Sequence, residues 1–204
     1  MKLYTSPTSP YGRLVLLAAL PRHELDFAIA YTNPWENPAE LQALNPFSQV
    51  PVLQTDSGTV IGNSPFILDF LLGHPLHTAE QTATAAFAFS LLDQLVKLFG
   101  LQKFKAENTP AHPLTERARA ACIRGLAAAP QLDAESGDVA HLVLGMALVF
   151  MQYRLPDLQP HLSPANQNAL AQFTARADVR AVAIEQLEKH PATVGELRRS
   201  MQQA

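Results

Sequence analysis

The 204-residue sequence has one cysteine, Cys122, and one tryptophan, Trp35, and only 16% of its side chains are charged. A single thiol excludes an internal disulfide framework and any cysteine-rich zinc site. A reducing, cytoplasmic setting is the simplest expectation. There is no surplus of positive charge: fifteen Lys and Arg against eighteen Asp and Glu leave a formal charge of −3. Neither nucleic acid nor an anionic membrane is an expected partner. No glycine-rich phosphate loop occurs, so nucleotide chemistry has no motif to rest on. The run from Val139 to Tyr153 carries no formal charge but holds His141 and Gln152, and it falls short of the ~20 residues a membrane span needs. The early apolar run Leu14 to Leu20 is at the short limit for a signal-peptide core, follows Pro7 and Pro10, and leads to no small-x-small cleavage site. A soluble chain is expected.

What the sequence does hold is 48% hydrophobic residues, enough for one large domain or two small ones. The first third alternates strand-like and helix-like segments. Lys2-Leu3-Tyr4 is extended, and Arg13 to Leu20 has the spacing of a helix with a broad apolar face, buried on two sides. Pro21 stops that helix, and Leu25 to Tyr31 reads as a second strand. A loop through Trp35 leads to a short helix, Glu40 to Leu44. Val52 to Gln54 and Thr59 to Ile61 then flank a turn in which Gly58 supplies positive φ. Pro65 suits the first turn of a helix running to Leu72.

The resulting order β-α-β-α-β-β-α implies a small mixed sheet with a crossover joining its first two strands. Residues 1–73 form this α/β part, 74–79 a linker, and 80–204 an all-helical part. Helices are expected over 85–104, 116–129, 138–153, 166–176 and 178–189.

The most informative stretch is Asn45-Pro46-Phe47-Ser48-Gln49-Val50-Pro51-Val52-Leu53. Pro51 opens a strand from which it removes one ladder donor. A cis Val50–Pro51 bond would turn the Val50 N–H and C=O away from the sheet, free to pair with an extended peptide laid alongside. An ordinary trans proline at a sheet edge is the commoner state of a lone Val-Pro.

That stretch, with Ser64-Pro65-Phe66-Ile67 after the hairpin, resembles the glutathione-binding half of the cytosolic glutathione S-transferases. The opening Thr5-Ser6-Pro7-Thr8-Ser9-Pro10-Tyr11 is similar to that of bacterial members of the family, and Asp138-Val139-Ala140 and Arg154-Leu155-Pro156-Asp157-Leu158 resemble its helical domain. The resemblance implies a thioredoxin-like domain followed by a helical bundle. It implies glutathione as cosubstrate without a metal, a small, largely apolar electrophile held between the two domains, and a homodimer. In the family the residue before the cis-proline pairs its backbone with the cysteinyl unit of glutathione, which is the place of Val50. Ser64 matches the serine that opens the third helix, where unpaired donors suit the γ-glutamyl carboxylate. Gln49 matches a contact to the glycine carboxylate, and it is also ordinary turn chemistry.

The protein's chemical task is to ionise the glutathione thiol. Lowering its pKa by two units takes about 2.7 kcal/mol. A charge-assisted hydrogen bond gives roughly 1.5–3 kcal/mol, and a helix N-terminus adds up to ~1. Ser9 is the expected hydroxyl, placed just before the first helix where the family carries its catalytic Ser or Cys. Ser6, Thr8 and Tyr11 compete with it, and Tyr4 matches a tyrosine-using position loosely. The alternative for Ser9 is a plain helix cap.

Two positions depart from the family pattern. Asn63 stands where an acidic residue or Gln receives the ligand's ammonium group, which weakens that bond by about 1 kcal/mol, although Asn also suits left-handed backbone. Glu135 stands where Ser or Thr caps the Asp138 helix, so that Ser136 or Asp138 itself begins it. Elsewhere, His74 and His77 read as exposed and Cys122 as a small buried hydrophobe; Trp35, Phe87, Phe89, Phe99 and Phe104 are core by default, with a hydrophobic substrate pocket or a dimer interface as the alternative. A thiol-disulfide oxidoreductase is disfavoured, because no cysteine precedes the first helix. A scaffold of the same fold that has lost its chemistry is the rival reading.

Overall fold

A computed structural model describes residues 1–201, which form two compact units. The first begins with β1 (Lys2–Thr5), α1 (Pro10–Ala19), β2 (Ala28–Tyr31), a 3-10 turn at Pro34–Glu36 and α2 (Ala39–Leu44). It continues through β3 (Val52–Gln54), β4 (Val60–Gly62) and α3 (Ser64–Leu72). The strands lie in the order β2-β1-β3-β4, with β1 and β2 parallel and the other pairs antiparallel. This is the mixed sheet the element order implied.

Strand alternation sorts the side chains onto two faces. Leu3 pairs with Ile29 and Leu53, and Leu53 with Ile61, on one face. Tyr4, Ala30 and Val52 share the other face, where Leu41 and Leu44 of α2 and the side chain of Val50 pack against them. Burying an aliphatic side chain contributes about 1.5–3 kcal/mol, so Leu41, 1% exposed, is the main anchor of α2.

α1 starts at Pro10, three residues before the expected Arg13, because Ser9 caps it and proline fits its first turn. It is buried nearly all round, as its broad apolar face implied. β2 starts at Ala28 and not at Leu25, whose N–H is taken into a turn by the Arg22 carbonyl at 2.9 Å. α3 ends at Gly73, whose φ of +65° is the left-handed conformation a helix terminator needs.

The second unit, Leu76–Thr174, is built on α4 (Ala79–Lys103), α5 (Pro113–Ala127) and α6 (Val139–Arg154). A 3-10 segment at Pro156–His161 and α7 (Pro164–Ala175) follow. α4 starts earlier than periodicity suggested, because Thr78 and Gln81 form a reciprocal cap. By length and composition α4 also matches a membrane span, with a mean hydropathy of 1.3 over its most apolar window. Its buried residues Ala85, Ala88, Leu92 and Leu95 nevertheless repeat at the spacing of a core helix, and it packs on α5 and α6. Asp138 caps α6, accepting the Ala140 N–H at 2.8 Å, while Ser136 Oγ accepts the Asp138 N–H at 3.0 Å. Glu135 takes no part in that cap.

The linear division into 1–73 and 80–204 differs from the contacts. Residues 175–201 pack with the first unit. The expected helix over 178–189 is two short ones, α8 (Ala177–Ala181) and α9 (Ile184–Leu187), and a further helix, α10 (Val194–Met201), follows Pro191. The Ile29 N–H donates to Ala192 O at 2.8 Å and the Val194 N–H to Phe27 O at 3.2 Å, so this return covers the β2 edge.

Candidate functional site

The Val50–Pro51 bond is cis. The Val50 side chain is anchored beside Tyr4, Leu41 and Val52, while its main-chain N–H and C=O form no hydrogen bond with a described residue. Val52 and Gly62 are the last paired residues at this end of β3 and β4. Val50 lies two residues before the first and Ser64 two residues after the second.

Ser64 is the first residue of α3 and 1% exposed, and its hydroxyl has no hydrogen-bond partner among the described residues. A buried hydroxyl without a partner costs about 1–3 kcal/mol, and α3 offers unpaired N–H donors and partial positive charge at the same point. Asn63, immediately before it, is exposed and has φ +69°. Its carbonyl accepts from Phe66 and Ile67 at 3.1 Å each, and its side chain makes no cap bond. The left-handed tolerance of Asn is therefore in use, and its amide is not spent on the helix. Gln49 is exposed, and its carbonyl accepts from Asn45 Nδ2 at 3.0 Å.

Ser9 is the N-cap of α1, and its Oγ accepts the Gly12 N–H at 3.2 Å. Capping uses a lone pair and leaves the hydroxyl proton to donate elsewhere, so the cap and a thiolate partner are compatible roles. Ser6 is 9% exposed, and its carbonyl accepts the Ser9 N–H at 3.1 Å; Thr8 and Tyr11 are half-buried. α1 lies tight on β1: a Cβ at Gly12 would stand 1.7 Å from Thr5 Oγ1.

Three features were not anticipated. Arg13, 5% exposed, donates from Nε to the Val182 carbonyl at 2.7 Å, one turn beyond Ser9. Ser48 adopts φ +50°, and its buried hydroxyl, like that of Ser64, has no hydrogen-bond partner among the described residues. Asn45 organises the turn that carries both Ser48 and Gln49. Only the Asn-Pro pair at 45–46 hinted at such a turn.

In the second unit, a cavity of about 520 Å³ lies where α4 ends and α5 begins, lined by Gly100, Leu101, Phe104, Pro110 and Pro113 among others. Phe104 is 55% exposed and Phe87, Phe89 and Phe99 are half-buried, so none of this group is full core; Trp35 in the first unit is 52% exposed. Cys122 is fully buried, and burial pushes its thiol pKa up to about 11. His74 and His77 are exposed, with His74 Nδ1 2.7 Å from Asp69. Among the described residues no three His, Cys, Asp or Glu side chains converge as a metal site requires.

A four-stranded thioredoxin-like domain followed by a helical unit is the architecture of the glutathione transferase superfamily, and the chain has that fold. Residues 8–72 match the family model of the glutathione S-transferase N-terminal domain.

Among solved structures, a glutathione transferase family member from Pseudomonas fluorescens Pf-5 with bound glutathione is 24% identical. Its TM-score is 0.76, over 89% of this chain and 98% of that one. A glutathione S-transferase from Methylobacterium radiotolerans in complex with glutathione sulfonate is 22% identical, with a TM-score of 0.76 over 89% and 93% of the two chains. A third, from Methylobacillus flagellatus with glutathione bound, is 21% identical, with a TM-score of 0.71 over 89% and 98%. At such identity the likeness shows the fold. No curated protein matches the sequence.

Proposed function

We propose that the protein is a glutathione transferase-like enzyme that joins the glutathione thiolate to a small, largely apolar electrophile. The observation that carries this reading is the pairing of two unsatisfied groups at one end of the hairpin. The free main chain of Val50 suits an extended peptide, and the buried hydroxyl of Ser64 at the α3 N-terminus suits a carboxylate. Glutathione bound in the Pseudomonas and Methylobacillus proteins supports the same ligand here. Gln49 and Asn63 are the neighbouring polar side chains for its glycine carboxylate and ammonium ends.

Ser9 is the proposed activating hydroxyl, donating to the sulfur from the start of α1. The thiolate then attacks an electrophilic carbon, a sulfur–carbon bond forms, and the leaving group departs with its electron pair. Binding supplies proximity, and the hydroxyl supplies charge stabilisation. Exposed Phe47, Phe66 and Phe70 support a homodimer, in which such aromatic surface is covered. A cytoplasmic location is part of the same reading.

Asn63 favours a second reading, a scaffold of this fold without chemistry, because a neutral amide holds an ammonium group less strongly than a carboxylate. Calorimetric titration with glutathione at neutral pH, followed by product analysis with a chlorodinitrobenzene, separates the two. Millimolar or tighter binding with release of chloride and formation of the thioether is expected. Silence to millimolar glutathione, or binding without thioether, selects the scaffold.

A further inference from the structure

All four polar groups of Asn45 are engaged. Its N–H donates to Leu41 O at 2.8 Å, closing α2, and its carbonyl accepts the Ser48 N–H at 2.8 Å. In the side chain, Oδ1 accepts the Phe47 N–H at 3.1 Å, and Nδ2 donates to the Gln49 carbonyl at 3.0 Å. A Cβ at Gly62 would stand 4.0 Å from that Nδ2, so the amide also lies beside β4, two residues ahead of Ser64.

The contact to Gln49 reaches further than its own turn. The Gln49 carbonyl and the Val50 N–H are opposite ends of one planar trans peptide, so holding the oxygen fixes the direction of the hydrogen. The Val50 side chain is packed in the cluster of Tyr4, Leu41 and Val52. The remaining freedom at this point is rotation of the Gln49–Val50 peptide plane, and the Asn45 amide is what restrains it.

We propose that Asn45 is a positioning residue for the tripeptide ligand: through the Gln49 carbonyl it aims the Val50 N–H at the ligand main chain, without touching the ligand itself. This rests on the glutathione reading given above. Asparagine suits the task because one planar group both accepts from Phe47 and donates to Gln49. Aspartate accepts equally well but has no donor, and its charge faces the carbonyl oxygen. When the peptide plane is free to turn, only a fraction of molecules presents the N–H, and the apparent Kd rises by the reciprocal of that fraction.

Asn45→Asp and Asn45→Ala are compared with the wild type by glutathione calorimetry, thermal unfolding and titration of the bound thiol's ultraviolet absorbance. Both variants lose the Nδ2 donor, and only Asn45→Ala also loses the acceptor for Phe47. The expected result is a Kd raised about tenfold and equally in both, a larger drop in Tm for Asn45→Ala, and an unchanged thiol pKa once glutathione is saturating. Wild-type affinity in Asn45→Asp, or affinity that follows Tm across the two variants, overturns the proposal while leaving the glutathione reading intact. A wild-type protein that does not bind glutathione overturns both.

Discussion

Arg198 of α10 holds the end of α1: its Nε donates to the Leu20 carbonyl at 2.8 Å. The same guanidinium reaches the carbonyls of Ala19, Arg22 and Leu25 from Nη2. The last carbonyls of α1 have no partner within the helix, and a cation there complements the helix dipole. One side chain from the far end of the chain thus terminates the helix whose other end begins at Ser9.

Replacing that fork is expected to be costly. Arg198→Ala should lower unfolding stability by about 2 kcal/mol, in the range for hydrogen bonds to a charged group. Arg198→Lys should recover only part, because an ammonium group lacks the planar donor geometry. Urea denaturation of the two variants checks the order.

The contact between α1 and β1 sets a second expectation. A methyl group at position 12 would meet Thr5 Oγ1 at 1.7 Å and Thr5 Cβ at 2.9 Å. Gly12→Ala should therefore destabilise by about 1–3 kcal/mol, despite the better helix propensity of alanine. Thr5→Ala in the same chain should relieve part of the loss, since it removes the nearer atom. A double-mutant cycle measures that coupling.

Capping and thiol activation by Ser9 can be separated. Ser9→Asp keeps an acceptor for the Gly12 N–H and suits a helix N-terminus, yet it offers no proton to a thiolate and repels it. Its Tm should stay near that of the wild type, while the pKa of bound glutathione rises by more than about one unit. Ser9→Ala should lose both roles, with about 1 kcal/mol of stability going with the cap. Equal thiol pKa values in Ser9→Asp and the wild type would remove Ser9 from the mechanism.

Asn63 predicts a gain. Asn63→Asp restores a carboxylate for the ammonium end of glutathione at a position whose φ of +69° Asp tolerates better than longer side chains. Glutathione should bind about fivefold more tightly, the equivalent of about 1 kcal/mol. Calorimetry on the variant reads the change directly.

Cys122 gives a pH dependence. Its thiol pKa is raised to about 11 by burial, from 9.0. The folded state therefore holds this proton more firmly than the unfolded state does. The stability tied to it is complete below pH 9 and declines as pH climbs from 9 towards 11. Cys122→Ala should flatten that part of the stability profile. In the native protein the thiol should stay unreactive towards a disulfide reagent near pH 8.

The α/β part was largely legible because its signals are local. Gly58 in the hairpin turn, Pro65 in the first turn of α3 and Val50-Pro51 before β3 each act within a few residues. Ser64 and Val50 could be singled out for the same reason, though only coordinates reveal that one hydroxyl is orphaned and one stretch of main chain unpaired. The return after Ala175 was not legible. Its contacts join residues more than 160 positions apart, as in Ile29 to Ala192 and Arg198 to Leu20, and no local spacing announces them. Phe87, Phe89 and Phe99 of α4 are half-buried and not full core, because composition alone does not tell a buried ring from a partly exposed one. Asn45 was quoted within a motif, but its reach to Gln49 depends on a turn whose shape the sequence does not spell out.

The bridge between Ala28 and Thr193 closes one rim of the sheet and leaves only the three-residue β4 on the other. A proteolytic nick upstream of Ala192 would unzip that seal and turn β2 into a bare ribbon, able to recruit strands from neighbouring molecules. The short extended stretch around Thr193 is, in this sense, the domain's protection against runaway assembly.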